Sequence, residues 1–119
     1  MSPELINLFD AFTDGLEKKD LNRIVNLFAE DAAYIVYAQG YRPVSGKRAI
    51  RAFMEDELKK IKEYSVEKLF ICEKKNCIVI EWRVRFKDAS SEKKFEIQGV
   101  SIIDAMDGLI HHWREYIQS

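Results

Sequence analysis

Apolar positions in the first half of this chain recur every three or four residues. Leu5, Leu8, Phe9, Phe12 and Leu16 form one stripe at helical spacing. Ser2 followed by Pro3 predicts the start of that helix, since serine caps well and proline's missing N–H costs nothing at the first helical position. Asp20 can cap a second, short helix whose stripe is Leu21, Ile24, Val25 and Phe28. A strand is expected from Ala32 to Tyr37, then a loop carrying Gly40, Pro43 and Gly46. Ser45 is the expected cap of a third helix, with Ile50, Phe53, Met54, Leu58 and Ile61 along one side.

In the second half the period shortens to two, the repeat of a half-buried strand. Strands are expected over about 66–73, 77–87 and 94–104, with turns at Lys74-Lys75-Asn76, Asp88-Ala89-Ser90-Ser91 and Ala105-Met106-Asp107-Gly108. Asp-Gly favours a tight hairpin turn, whose two central positions need φ above zero. A last strand, rich in aromatic and β-branched residues, follows it. Helices first and an antiparallel sheet after is an α+β pattern, with the helices gathered on one face. A sheet of this length curling around the first helix makes a cone with one open end, and such mouths are common ligand sites.

Composition narrows the functional classes. At 119 residues, 47% apolar and 33% charged, the chain reads as one soluble globular domain over residues 1–119. A net charge of -1, with Lys and Arg dispersed, lacks the basic stripe of a nucleic-acid binder. No apolar run approaches the ~18 residues of a membrane span, and Met1-Ser2-Pro3-Glu4 is not a signal peptide. The expectation is a cytoplasmic protein with neither nucleic acid nor membrane as partner. Cys72 and Cys77 flank a turn and could face each other across a hairpin, but a bridge closing so small a loop adds little, so two reduced thiols are expected. No zinc spacing occurs, and adjacent His111 and His112 point to opposite faces of a strand. No metal or cofactor is expected.

Alternation along the last strand puts His111, Trp113, Glu115 and Ile117 on one face and Ile110, His112, Arg114 and Tyr116 on the other. If the Trp113 face is buried, a carboxylate goes inside with it. Full burial raises a carboxyl pKa by up to ~3–5 units. Each unit is ~1.4 kcal/mol, against a typical domain stability of ~5–15 kcal/mol. Such a group must be hydrogen-bonded, wetted by a pocket, or functional.

Three segments resemble the nuclear-transport-factor-2-like superfamily. Phe28-Ala29-Glu30-Asp31-Ala32-Ala33 is similar to its Leu-Phe-Ala-Asp-Asp-Ala segment. Ser45-Gly46-Lys47-Arg48-Ala49-Ile50-Arg51-Ala52-Phe53 is similar to its Gly, basic residue, Ala-Ile and aromatic. Asp107-Gly108-Leu109-Ile110 with Trp113-Arg114-Glu115-Tyr116 resembles the ending of the SnoaL-like, polyketide-cyclase-like branch, Asp-Gly-Lys-Ile…Trp-Arg-Asp-Tyr. The resemblance spans the chain in order. It implies a conical α+β barrel, of cystatin-like type, with an antiparallel sheet wrapped around N-terminal helices, an internal pocket, and dimerisation through the outer sheet face. The superfamily's functions include isomerases, epoxide hydrolases, cyclases, dehydratases and proteins that catalyse nothing, so fold does not give function.

Residue by residue, borrowed mechanisms fail. The steroid-isomerase Tyr and two Asp fall on Phe12, Val36 and Gly99, which cannot do that chemistry. The Arg-x-Asp of limonene-epoxide hydrolases falls on Trp82 and Val84, while their last-strand Asp falls on Glu115. The inward faces implied by the resemblance include Phe12, Tyr34, Val36, Phe53, Ile80, Trp82, Val84, Phe86, Phe95, Ile97, Gly99, Ser101, His111 and Trp113 around Glu115. That lining suits a small hydrophobic or aromatic molecule, although residues so spaced can equally just fill a core.

Tyr34, the Trp82 indole and His111 are candidate donors to Glu115, whose catalytic role would be general base or acid on a bound carbonyl, hydroxyl or epoxide. The plainer alternative wets Glu115 at the mouth, paired with Arg42 or Arg48. Outward, Val79, Val100, Ile102, Ile110 and Tyr116 alternate among charged residues including Arg83, His112 and Arg114, which predicts a homodimer through this face. Two functional classes stay open: a small-molecule-binding protein with isomerase, cyclase or hydrolase chemistry, and a non-catalytic dimerisation or protein-interaction module.

Overall fold

The apolar stripe of the first helix has to be covered, and the sheet covers it. A computed structural model describes residues 5–38 and 42–118. In chain order the elements are α1 (Ile6–Lys18), α2 (Leu21–Val25), β1 (Phe28–Tyr37), β2 (Arg42–Ser45), α3 (Lys47–Lys60), β3 (Ile61–Lys74), β4 (Cys77–Asp88), β5 (Lys94–Met106) and β6 (Leu109–Gln118). One six-stranded sheet runs in the order β2-β1-β6-β5-β4-β3. The sheet is curved and stays unclosed, so the expected barrel is an α+β half-wrap. Nor is it wholly antiparallel. β1 runs parallel to β6, because the chain crosses over through α3 and four strands before β6 returns beside β1.

Local chemistry explains the joints. The Asp20 side chain accepts from the Arg23 N–H at 3.1 Å, the expected N-cap. Lys19 ends α1 in the left-handed conformation, and its ammonium donates to the Leu58 carbonyl at 2.7 Å, satisfying an orphan acceptor of the last turn of α3. The N-cap of α3 is Gly46, without a side-chain bond, instead of Ser45, which ends β2. Residues expected as loop therefore pair with β1, Val44 opposite Tyr34. The expected Ser2-Pro3 start and Gly40 lie outside the described residues. Cys72 lies opposite Val79, and Cys77 opposite Lys74; they do not face each other, and both thiols are free.

The core lies between α1, α2 and α3 and the concave face of the sheet. Ile78, Ile80, Trp82 and Val84 alternate inward from β4, and Ile103 and Ala105 from β5. Phe9 and Phe12 of α1 meet Trp113 of β6, the Phe12 and Trp113 rings 4.3 Å apart between centroids. Trp113 is 1% exposed and is among the largest fully buried side chains. Among the described residues no helix is long and apolar enough to cross a membrane.

Candidate functional site

A chain of hydrogen bonds crosses three neighbouring strands on the concave face. Trp82 of β4 donates its indole N–H to Ser101 Oγ of β5 at 2.8 Å. Ser101 Oγ donates in turn to Glu115 Oε1 of β6 at 3.2 Å, and the Trp113 indole donates to the same oxygen at 3.0 Å. Register makes this possible: Ser101 lies directly opposite Glu115, and Trp113 and Glu115 are two residues apart on one face. Both bonds end on Oε1. Among the described residues nothing bonds Oε2, and Glu115 lines a cavity of about 390 Å³.

The cavity walls come from every layer of the fold. Phe9, Phe12, Thr13 and Leu16 come from α1, and Phe53, Met54 and Glu57 from α3. Tyr34 and Val36 of β1 lie beside Ala38 and Val44, and Ile61 and Tyr64 of β3 line the opposite side. Trp82, Val84, Phe86 and Ile97 form the floor with Trp113, Glu115 and Ile117. Tyr34 stands 5.6 Å from Phe53 and 5.8 Å from Trp113 between ring centroids, so the wall beside Glu115 is largely aromatic face.

Burial dominates the electrostatics. Desolvation pushes the Glu115 carboxyl up, the bonds from Trp113 and Ser101 pull it back, and the nearby charge of Glu57 adds to the rise. Burial, reinforced by the Glu115 charge, holds the Tyr34 and Tyr64 phenols above the ordinary range. Arg48 is exposed and makes no ion pair with Glu115 among the described residues; the Arg42 side chain lies outside them.

Of the residues singled out in the sequence, Phe12, Tyr34, Val36, Phe53, Trp82, Val84, Ile97, Trp113 and Glu115 come together around this space. Two do not. His111 is exposed, because β6 carries a bulge there: Asp104 pairs with His112 and Ala105 with Ile110, leaving His111 as the extra residue. Alternation is right from His112 onward and reverses before it. Ile110, expected outside, is fully buried and donates its N–H to the Leu27 carbonyl. Gly99 is buried but does not reach the cavity, since the Trp82 indole lies over it. A Cβ there would come within 2.9 Å of that ring and 2.5 Å of the Tyr116 carbonyl. The indole thus fills the place where a steroid isomerase is expected to carry an acid. Phe95, also expected inside, is exposed and stacks on Phe86 at 5.4 Å.

Glu57 and Tyr64 were missed. Glu57 lies three and four residues from Met54 and Phe53, so it sits on the inner stripe of α3, and that spacing could have found it. Tyr64 precedes the expected start of its strand. β3 slips register between Lys62 and Ser65, with Glu63 at φ 53°, and this kink brings Tyr64 to the cavity wall.

On the convex face, Arg83, Val100, Ile102, His112 and Arg114 are half-buried and Tyr116 is 42% exposed. Arg83 pairs with Glu67 at 3.0 Å, and Tyr116 stacks on Tyr37 at 4.6 Å. Arg114 Nε is buried without a hydrogen-bond partner among the described residues. No group of three or more metal-ligating side chains occurs among the described residues.

The family model of the SnoaL-like domain matches residues 9–113, which takes in every wall of the cavity except Glu115 and Ile117. The chain belongs to the SnoaL-like domain family. Solved structures of this fold agree with that assignment. A candidate isomerase from Bacillus subtilis is 22% identical, with a TM-score of 0.86 over 95% of this chain and 85% of that one. A candidate SnoaL-like polyketide cyclase from Shewanella putrefaciens CN-32 is 16% identical, with a TM-score of 0.83 over 98% and 91%. An LEH-like epoxide hydrolase of M. tuberculosis is 17% identical, with a TM-score of 0.81 over 95% and 81%. At these identities the SnoaL-like likeness is one of fold. No curated protein matches the sequence.

Proposed function

We propose that this SnoaL-like protein binds a small hydrophobic molecule in the concave cavity and that Glu115 is its proton-transfer group. One observation carries the reading: a carboxylate fixed through one oxygen by Trp113 and Ser101, with the other left to an aromatic cavity. Two donors orient the carboxylate through Oε1, and Oε2 stays accessible from the cavity to an incoming donor. A raised pKa brings a carboxyl closer to neutral pH, where an acid–base catalyst works best. The neighbours of this fold described as a candidate isomerase, a candidate cyclase and an epoxide hydrolase support such chemistry, and Glu115 occupies the last-strand acid position of the epoxide-hydrolase pattern. Its partners in that pattern are replaced by Trp82 and Val84, so the mechanism is this chain's own.

A homodimer through the convex sheet face belongs to the same proposal and rests on Val100, Ile102 and Tyr116. That face also supports the second reading, a non-catalytic interaction module. One comparison separates the two. With a pocket function, Glu115→Gln lowers small-molecule binding tenfold or more in native mass spectrometry of the purified protein and leaves the assembly intact. With an interaction module, Ile102→Lys or Tyr116→Lys abolishes partner capture and Glu115→Gln changes nothing.

A further inference from the structure

The polar inventory of the cavity is one-sided. Among the described residues its acidic side chains are Glu57 and Glu115, and its walls carry no lysine, arginine, histidine, asparagine or glutamine. The two indole N–H groups that could have served a ligand as donors are already committed, Trp82 to Ser101 and Trp113 to Glu115. What remains for an incoming molecule is acceptor oxygen, two tyrosine hydroxyls, and the faces of Phe12, Phe53 and Tyr34. An anion would meet two carboxylates. A neutral hydrophobe would leave Glu115 Oε2 desolvated and unpaired, a costly arrangement. Lys60 does approach Glu57, at 3.6 Å, but from the solvent side, and it is not part of the wall. No cation in the described structure reaches Glu115.

We infer that the ligand is a hydrophobic organic cation, a protonated amine or quaternary ammonium, held between Glu115 and the aromatic wall with Glu57 at the rim. The inference rests on the reading of the cavity as a binding site and names the chemical class that site takes. Glu115 supplies a part-buried counter-charge, and the ring faces attract a cation through their quadrupoles, more strongly once it is desolvated. A volume of about 390 Å³ falls at the small end of ligand pockets, which suits a single-ring amine. Binding also ionises Glu115, because a positive charge beside a carboxyl favours its anionic form. The ligand therefore generates the base that acts on it.

The test compares three probes of similar shape by isothermal titration on the intact protein: benzyltrimethylammonium, its uncharged isostere neopentylbenzene, and phenylacetate. The expected result is that the ammonium binds at least tenfold more tightly than the hydrocarbon, with phenylacetate weakest. Glu115→Gln should remove most of that preference by weakening the ammonium alone. Glu57→Gln, at the half-exposed rim, should remove a smaller part. Equal binding of ammonium and hydrocarbon, or a preference for the hydrocarbon or the anion, overturns the inference and leaves the cavity a binding site. Binding of none of the three overturns both.

Discussion

Glu115 shows how one side chain is held against its own chemistry. Two neutral donors hold it in place, yet burial still raises its pKa, so the folded protein keeps this proton to a higher pH than the unfolded chain does. The sign of the pH dependence follows. Below the unfolded carboxyl value both states are protonated and the stability is intact. As pH rises through the higher folded value, the unfolded chain has already released its proton and stability falls, by ~1.4 kcal/mol for each unit between the two pKa values. Glu115→Gln keeps an acceptor oxygen for Trp113 and Ser101 and removes the titration. Urea unfolding across pH 4 to 8 should show the variant gaining on the wild type as pH rises, then running parallel to it. A constant difference across the range would mean that Glu115 titrates as a solvated group. At this scale the sequence was largely legible. A glutamate two residues beyond a tryptophan on one strand shares its face, and with Trp113 buried Glu115 lies part-buried on the concave side. Its donors were less legible, because Ser101 is set by cross-strand register, which no local pattern encodes.

Elements were readable where their signals are local. The helical stripes, the Asp20 cap and the Asp107-Gly108 turn all follow from chemistry within a few residues. In that turn Asp107 and Gly108 have φ of 55° and 78°, the positive values a tight hairpin demands. No atom lies within 4 Å of a Cβ built on Gly108, so Gly108→Ala should cost only backbone strain, about 1 kcal/mol. A drop in the urea midpoint without loss of cooperativity would show it; a larger loss would mean that the turn also steers the pairing of β5 with β6. The bulge at His111 was not readable. Strict alternation assumes a straight strand, and one extra residue reverses every assignment on the near side of it. Burial of Ile110 under Leu27, a contact between distant parts of the chain, goes with that bulge, and it left His111 in solvent.

At the scale of the molecule, the sheet has two faces of different character. Its concave side is filled by three helices and the cavity. Its convex side keeps Val79, Val100 and Ile102 half-covered and leaves Tyr116 open, beside an Arg114 Nε with no partner among the described residues. A second copy would cover this surface, and isologous pairing places the same patch on both sides. Analytical ultracentrifugation should find a dimer for the wild type and a monomer for Ile102→Lys, while Glu115→Gln stays dimeric. A wild-type monomer at all concentrations would end the proposal. The order of elements and their gathering on one face were legible from helices preceding strands. The parallel pairing of β1 with β6 and the unclosed edge were not, because both depend on how far the sheet curls, which no local pattern encodes.

The hydrogen-bond chain at Glu115 has an optical consequence. The protein contains two tryptophans, Trp82 and Trp113, and both indole N–H groups feed the same carboxylate oxygen, one directly and one through Ser101. Its tryptophan emission therefore comes from two indoles hydrogen-bonded, directly or through Ser101, to one titrating group. Loss of the Glu115 proton, or arrival of a molecule beside it, changes the field on both indoles together, without a label. The chain carries its own indicator dye at the one position where its chemistry is proposed to happen.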